Sequence, residues 1–255
     1  MFTSVRVCLG TAIAVAVVAS ASAAAAATAS LSVERFDRQD FAAAQGAMAG
    51  FLDGHTLRGF ETFEDAPSWN GASGSGNPQA TRAGSFTSFG GAGSGHSVVG
   101  AGSELQVRGD NDMAWGRYDA DDGALGGNWL DSNDNLGMTW QIAGLGSFDS
   151  LAFFVTDAAD VGGTFSIKVG DTVFSDLAGT AGRLKNGNIQ FVRIMLSEAV
   201  DSLTVELMHD RTNDGFGIDG AAVAIEPIPL PPAALLLLTG IAGIAGIGRV
   251  RRRTA

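Results

Sequence analysis

The side chains able to do chemistry in this sequence are mainly carboxylates. Glu61 and Glu64 fall in the run Phe60-Glu-Thr-Phe-Glu64, and Asp219 closes the run Asp214-Gly-Phe-Gly-Ile-Asp219 near the other end. If these runs pair as first and last strands, Glu61, Glu64 and Asp219 gather with backbone carbonyls into a cage of hard oxygen donors. Such a cage suits a structural Ca2+ ion, which would tie the two ends of the domain together. Without that pairing they are solvated acids at strand edges.

A second group of acids runs from Asp110 to Asp134 and contains Asp112, Asp119, Asp121, Asp122 and Asp131. Within it, Asp131-x-Asn133-x-Asn135-x-Gly137 imitates an oxygen-rich calcium loop. Its glycine falls one place late for an EF-hand, however, and Ile142 stands where the twelfth-position glutamate belongs. Asp, Asn and Gly are also the ordinary residues of tight turns, and turns are the favoured reading here. Trp115, Tyr118 and Trp129 flank these turns and are the candidates for stacking on sugar rings; packing is the competing role for all three. Trp140 alternates with polar residues and is assigned to the core.

Catalysis finds little support. The sequence has no G-x-S-x-G elbow, no H-E-x-x-H and no phosphate-binding G-x-x-x-x-G-K, and His55, His96 and His209 are scattered. Paired carboxylates for glycoside hydrolysis are defined by separation in space, but no stripe of acids lies along one strand. The reading is therefore not an enzyme, with a secreted glycoside hydrolase as the least favoured alternative. The one cysteine, Cys8, lies near the N-terminus, so residues 31–226 hold neither a disulfide nor a thiolate.

The elements that must position these groups are mostly strands. Met138, Trp140 and Ile142 alternate with polar residues, as do Phe165, Ile167 and Val169, and Leu203, Val205 and Leu207. That period of two marks strands with one wet face. Residues 148–155 are apolar on both faces, which predicts a central strand. Gly-Asp, Asn-Gly and Gly-Gly pairs fall between the runs, as hairpins require. Residues 57–63 read as a first strand and 85–89 as a short one. Phe36, Phe41, Ala44 and Met48 predict a helix over 32–51. The expectation is a mainly β chain: a two-sheet antiparallel jelly-roll-like sandwich of nine or ten strands over 31–226, with a short N-terminal helix.

The two ends concern membranes. Arg6, an apolar run at 7–18 and small residues through Ala29 read as a signal peptide over 1–29, with Ala21-Ser22-Ala23 and Ala27-Thr28-Ala29 both fitting signal peptidase. At the other end, residues 233–248 carry no charge. As a helix they span roughly 24 Å, against a hydrocarbon core of about 30 Å. Pro231, Pro232 and a snorkelling Arg249 extend the reach toward a transmembrane segment. Arg249, Arg251, Arg252 and Arg253 hold the far end cytoplasmic. Between these ends lie 11 of the 16 basic residues and all 27 acidic ones, a net charge of −16. That charge argues against nucleic acid, which needs a basic patch.

The segment 228–253 carries a resemblance. Ile228-Pro229-Leu230-Pro231, then Pro232-Ala-Ala-Leu-Leu-Leu-Leu and a final arginine cluster, resembles the PEP-CTERM class of sorting signals, in the variant whose box reads Val-Pro-Leu-Pro-Ala. Ile228 replaces the valine and Pro232 the alanine. The resemblance implies recognition by an exosortase, cutting near the box, and passage to the surface of a Gram-negative cell. Its partners would be signal peptidase, exosortase and the inner membrane, which anchors the precursor. Asp37-Arg-Gln-Asp-Phe-Ala-Ala-Ala44, Phe60-Glu-Thr-Phe-Glu64 and the run 214–219 resemble domains found with such tails, which are similar to galactose-binding-like or lectin-like sandwiches. Folds of that kind often hold a structural calcium between first and last strands, as proposed for Glu61, Glu64 and Asp219. The expected role is a structural or adhesive component of the surface or extracellular matrix. The alternative is a carbohydrate-binding module for matrix polysaccharide.

Overall fold

A computed structural model describes residues 27–65, 79–92, 105–109, 116–120, 127–133, 135–175, 177, 183–211 and 214–227. Trp115, residues 1–26 of the expected signal peptide and the whole sorting segment 228–253, with its apolar run 233–248, lie outside them. Among the described residues no helix is long and apolar enough to cross a membrane.

The described elements open with β1 (Ala29–Phe36), α1 (Phe41–Gly54), β2 (Thr56–Glu61), β3 (Gln79–Thr81), β4 (Gly84–Ala92) and β5 (Gln106–Arg108). They continue with β6 (Trp129–Asp131), β7 (Asn135–Thr156), β8 (Phe165–Val169), β9 (Thr172–Phe174), β10 (Ile189–His209) and β11 (Gly217–Ile225). All pairing is antiparallel.

The long strands β7 and β10 organise the rest. They pair from Ile189↔Thr156 to Met208↔Gly137, with register shifts between Met195 and Ser202. The first half of β7 is flanked by β4, with Phe86 opposite Trp140, and the second half by β11, with Ile218 opposite Val155. Similarly, β1 lies beside the first half of β10 and β8 beside the second.

Both halves of each strand bury the same core. Met138, Trp140 and Ile142 share one cluster with Leu151, Phe153 and Val155, and with Val192, Ile194, Val205 and Leu207. The described strands hydrogen-bond into one continuous 11-stranded sheet and not the two separate sheets expected; the paired ribbon folds over at its middle, so that its halves form two layers around one core. Gly144 and Gly146, both at φ +77, make the corner in β7. Side-chain-bearing residues pay a steric cost in that left-handed region.

The outer face of the second layer is also apolar, which explains the two-faced run at 148–155. Ala152, Phe154, Ile189, Phe191, Ala222 and Ala224 pack against α1 through Ala44, Met48 and Phe51. Those three helical residues recur at four- and three-residue intervals, so they form one stripe. His55 ends the helix, its Nδ1–H donating to the Phe51 carbonyl at 2.7 Å while the two rings stack.

The helix expected over 32–51 is corrected at its start. Residues 29–36 form β1, paired with β10, and the helix begins at Phe41. Ala29, Leu31 and Val33 pack toward the sandwich core while Ser30, Ser32 and Glu34 are exposed. This is a period of two that the neighbouring aromatic spacing masked. β2 and β4 cover the strands expected near 57–63 and 85–89.

Candidate functional site

The pairing of first-half and last strands holds, but its carboxylates do not converge. β2 lies beside β11 with Glu61 opposite Ala221, while Asp219 lies opposite Phe154 of β7. Directly opposed residues share a face. Ala221 faces the sandwich core and Phe154 faces the helix, so Glu61 and Asp219 project from opposite sides of the sheet.

Each is occupied with backbone donors. Glu61 accepts from the N–H of Phe63 at 2.7 Å and of Arg82 at 2.9 Å. Asp219 accepts from Ala120 N–H and Gly220 N–H, both at 2.8 Å. Glu64 is exposed and accepts from Asn128 N–H at 2.7 Å. Among the described residues no three acidic, histidine or cysteine side chains form a metal-holding group. These three residues therefore do not fit a shared calcium cage; Glu61 and Asp219 instead pin loops to strands.

The aromatic candidates are buried too. Tyr118 is fully buried, its hydroxyl donating to the Gly187 carbonyl at 2.5 Å and its ring meeting Phe41 edge-on. Burial, the largest influence, pushes its phenol above the ordinary value. Trp129 is fully buried beneath the Arg108 guanidinium, which stands 5.6 Å from the ring centre. Neither ring presents a stacking face, which corrects the expectation for Tyr118 and Trp129. Trp115 is outside the described residues. The imitation calcium loop is a turn: Asp131 Oδ1 accepts from Asn133 N–H at 2.9 Å, and Asn133 is left-handed at φ +53.

The carboxylates that do come together stand at one end of the sandwich, where β7 and β6 finish and β11 begins. There Asp131, 1% exposed, bonds Arg117 Nη1 at 2.9 Å and Arg108 Nη1 at 3.4 Å. The turn after β7 carries Asp157 and Asp160, and the segment before β11 carries Asp214, all buried. Asp157 Oδ1 accepts from Gly187 N–H at 2.7 Å. Asp160 and Asp214 place their carboxyl groups within hydrogen-bond reach of each other.

The energetics follow from burial. Loss of solvent is the main cause holding the Asp157 and Asp214 carboxyls up at about 8, and Asp160 adds to both by like-charge repulsion. Asp160 is raised as well, again chiefly by burial, while Arg183 and Arg117 pull it back. Such a cluster can hold and share protons, with Arg117 drawing each of the three carboxyls back toward its ionised form. Sequence reasoning missed Asp157 and Asp160 as site residues. Their one signal was the Asp-x-x-Asp spacing directly after a doubly apolar strand, and Asp214 was noted only as part of its run.

No protein-family profile matches the chain, and no curated protein matches it. Among solved structures, the chain has a weak likeness to the C-terminal family 22 carbohydrate-binding module of Clostridium thermocellum Xyn10B. The identity is 15%, the TM-score 0.26, and the match covers 71% of this chain and 98% of that one.

Proposed function

We propose that this chain is an exported surface protein whose C-terminal tail is an address read by an exosortase, and whose sandwich serves a structural or adhesive role. The observation that carries the reading is where the tail leaves the fold. β11 is an inner strand, flanked by β7 on one side and by β6 and β2 on the other. Its pairing ends at Ile225, and Glu226 N–H makes one further bond to Asp149 Oδ1 at 2.8 Å. The Ile228-Pro229-Leu230-Pro231 box follows at once. A cut within or after that box removes the apolar run and the arginines without breaking any strand pairing among the described residues.

The physical logic is a division of labour. An apolar helix followed by Arg249, Arg251, Arg252 and Arg253 stalls the exported chain in the inner membrane with its sandwich outside. Prolines at 229, 231 and 232 remove backbone donors and restrict φ in the box, which suits recognition in an enzyme cleft. The acidic body remains solvated at the surface.

The test is cell fractionation of a strain carrying Leu230→Asp with Pro229→Ala and Pro231→Ala. The expected result is retention of this variant in the inner membrane, with the unaltered chain at the surface. Surface delivery of both in equal amount contradicts the reading.

A further inference from the structure

We infer that Asp160 and Asp214 form a calcium site at the end of the sandwich where the turn after β7 meets the segment entering β11. The assignment starts from Asp214. Its side chain is 2% exposed, and neither Oδ1 nor Oδ2 accepts a hydrogen bond from any donor in the structure. A buried carboxylate left so is costly, since burial removes the water that would otherwise bind it. The group it faces is the Asp160 carboxyl, another acceptor, itself 8% exposed. Two carboxylates aimed at one another need something positive between them.

Without a cation that something is a proton, which burial favours on Asp214; a cation bound by both carboxylates displaces it. Asp131, Asp157, Asp160 and Asp214 are buried against Arg108 and Arg117, and both arginines bond Asp131. Arg183 and Arg211 are exposed, and Arg183 reaches Asp160 through its backbone carbonyl. A divalent cation seated between Asp160 and Asp214 satisfies both carboxylates once their protons leave.

The donors are all oxygens and come from irregular turns rather than strands. That suits the large, adaptable shell of Ca2+ better than the strict octahedron of Mg2+. Gly163 lies close against the site, where an added Cβ would stand 2.7 Å from Arg211 Cγ, 2.8 Å from Asp210 Oδ1 and 3.3 Å from Asp214 Oδ2. This site differs in residues and place from the Glu61, Glu64 and Asp219 arrangement, and it does not depend on the export reading.

The experiment uses the full-length chain in detergent, with calcium chloride as the probe. Calorimetric titration and thermal unfolding, in calcium and in chelator, are run on the unaltered protein and on Asp214→Asn. The unaltered chain is expected to bind one calcium ion and to melt higher with it. In Asp214→Asn, calcium affinity falls at least tenfold, yet the calcium-free variant melts no lower than the calcium-free parent, because an uncompensated charge has gone. If Asp214→Asn does not fold, Asp160→Asn takes its place with the same expectation. No calcium uptake by the unaltered chain, undiminished uptake by the variant, or an equal response to magnesium chloride overturns the assignment. Normal tail processing alongside any of these results leaves the sorting proposal standing.

Discussion

Ser147 and Asp201 meet where the sandwich folds over, the serine Oγ donating to the aspartate Oδ1 at 2.6 Å. One sits just past the corner of β7 and the other within the irregular middle of β10, so the bond ties the two corners together. Arg58 Nε adds a 3.0 Å bond to the Ser147 carbonyl from β2. The corner itself depends on Gly144 and Gly146, where an added Cβ would touch nothing. The cost of a side chain there is conformational alone. Gly144→Ala and Gly146→Ala should each lower stability by about 1–2 kcal/mol, read as a shift in the denaturant midpoint. Unchanged midpoints would show that the corner does not require left-handed backbone.

Arg117 compensates more buried charge than any other single residue described, because it bonds Asp131 and lowers the energy of ionised Asp157, Asp160 and Asp214. Removing one partner from a buried ion pair leaves its charge uncompensated. Arg117→Met should therefore cost about 3–5 kcal/mol. Adding Asp131→Asn to it should recover part of that loss, and a double variant no better than Arg117→Met would contradict the pairing.

The sequence made the strand pattern legible because water enforces it. Met138, Trp140 and Ile142 alternate with wet neighbours, and each lies in the core. The run at 148–155 was readable as central for the same reason, since helix and sandwich cover its two faces. The start of α1 was not readable: Leu31 and Val33 give too short an alternation to outweigh the aromatic spacing beside them. The approach of Asp160 to Asp214 follows from the pairing of β7 with β11, Thr156 opposite Gly217, and no local pattern encodes it. Tyr118 and Trp129 looked available because acidic turns flank them, but flanking polarity does not decide the burial of a large ring.

Tyr118 and Trp129 should accordingly report on stability. Trp129→Ala should lose about 3–5 kcal/mol through lost packing. Tyr118→Phe leaves the Gly187 carbonyl without its donor and should lose about 1–3 kcal/mol. Chemical denaturation measures both. Loss of polysaccharide binding at unchanged stability would restore the stacking role instead.

Asp157 gives a pH dependence in calcium-free protein. The unfolded chain ionises this carboxyl near pH 4 and the folded chain only at about 8, chiefly because it is buried. Its contribution to stability is therefore full below pH 4 and is lost as pH rises through 8. The slope in between is on the order of 1.4 kcal/mol per pH unit. The melting temperature in chelator should fall from pH 5 to pH 8, and Asp157→Asn should flatten that fall. A rise over the same range would contradict the burial argument.

Strand β1 bears on signal-peptide removal. Thr28 O accepts from Ser197 N–H at 2.8 Å, and Ala29 pairs with Leu196. Cleavage after Ala29 would discard both interactions, whereas cleavage after Ala23 keeps them. N-terminal sequencing of the exported chain should therefore begin at Ala24, and a start at Ser30 would contradict this.

Intact-mass measurement of the protein recovered from the cell surface is the most direct test of the sorting claim. The expected species ends within or shortly after the proline box, lacks Arg249 through Arg253, and carries any added mass at that new terminus. A surface species that still contains 233–255 would show that the tail is a lasting anchor and not an address.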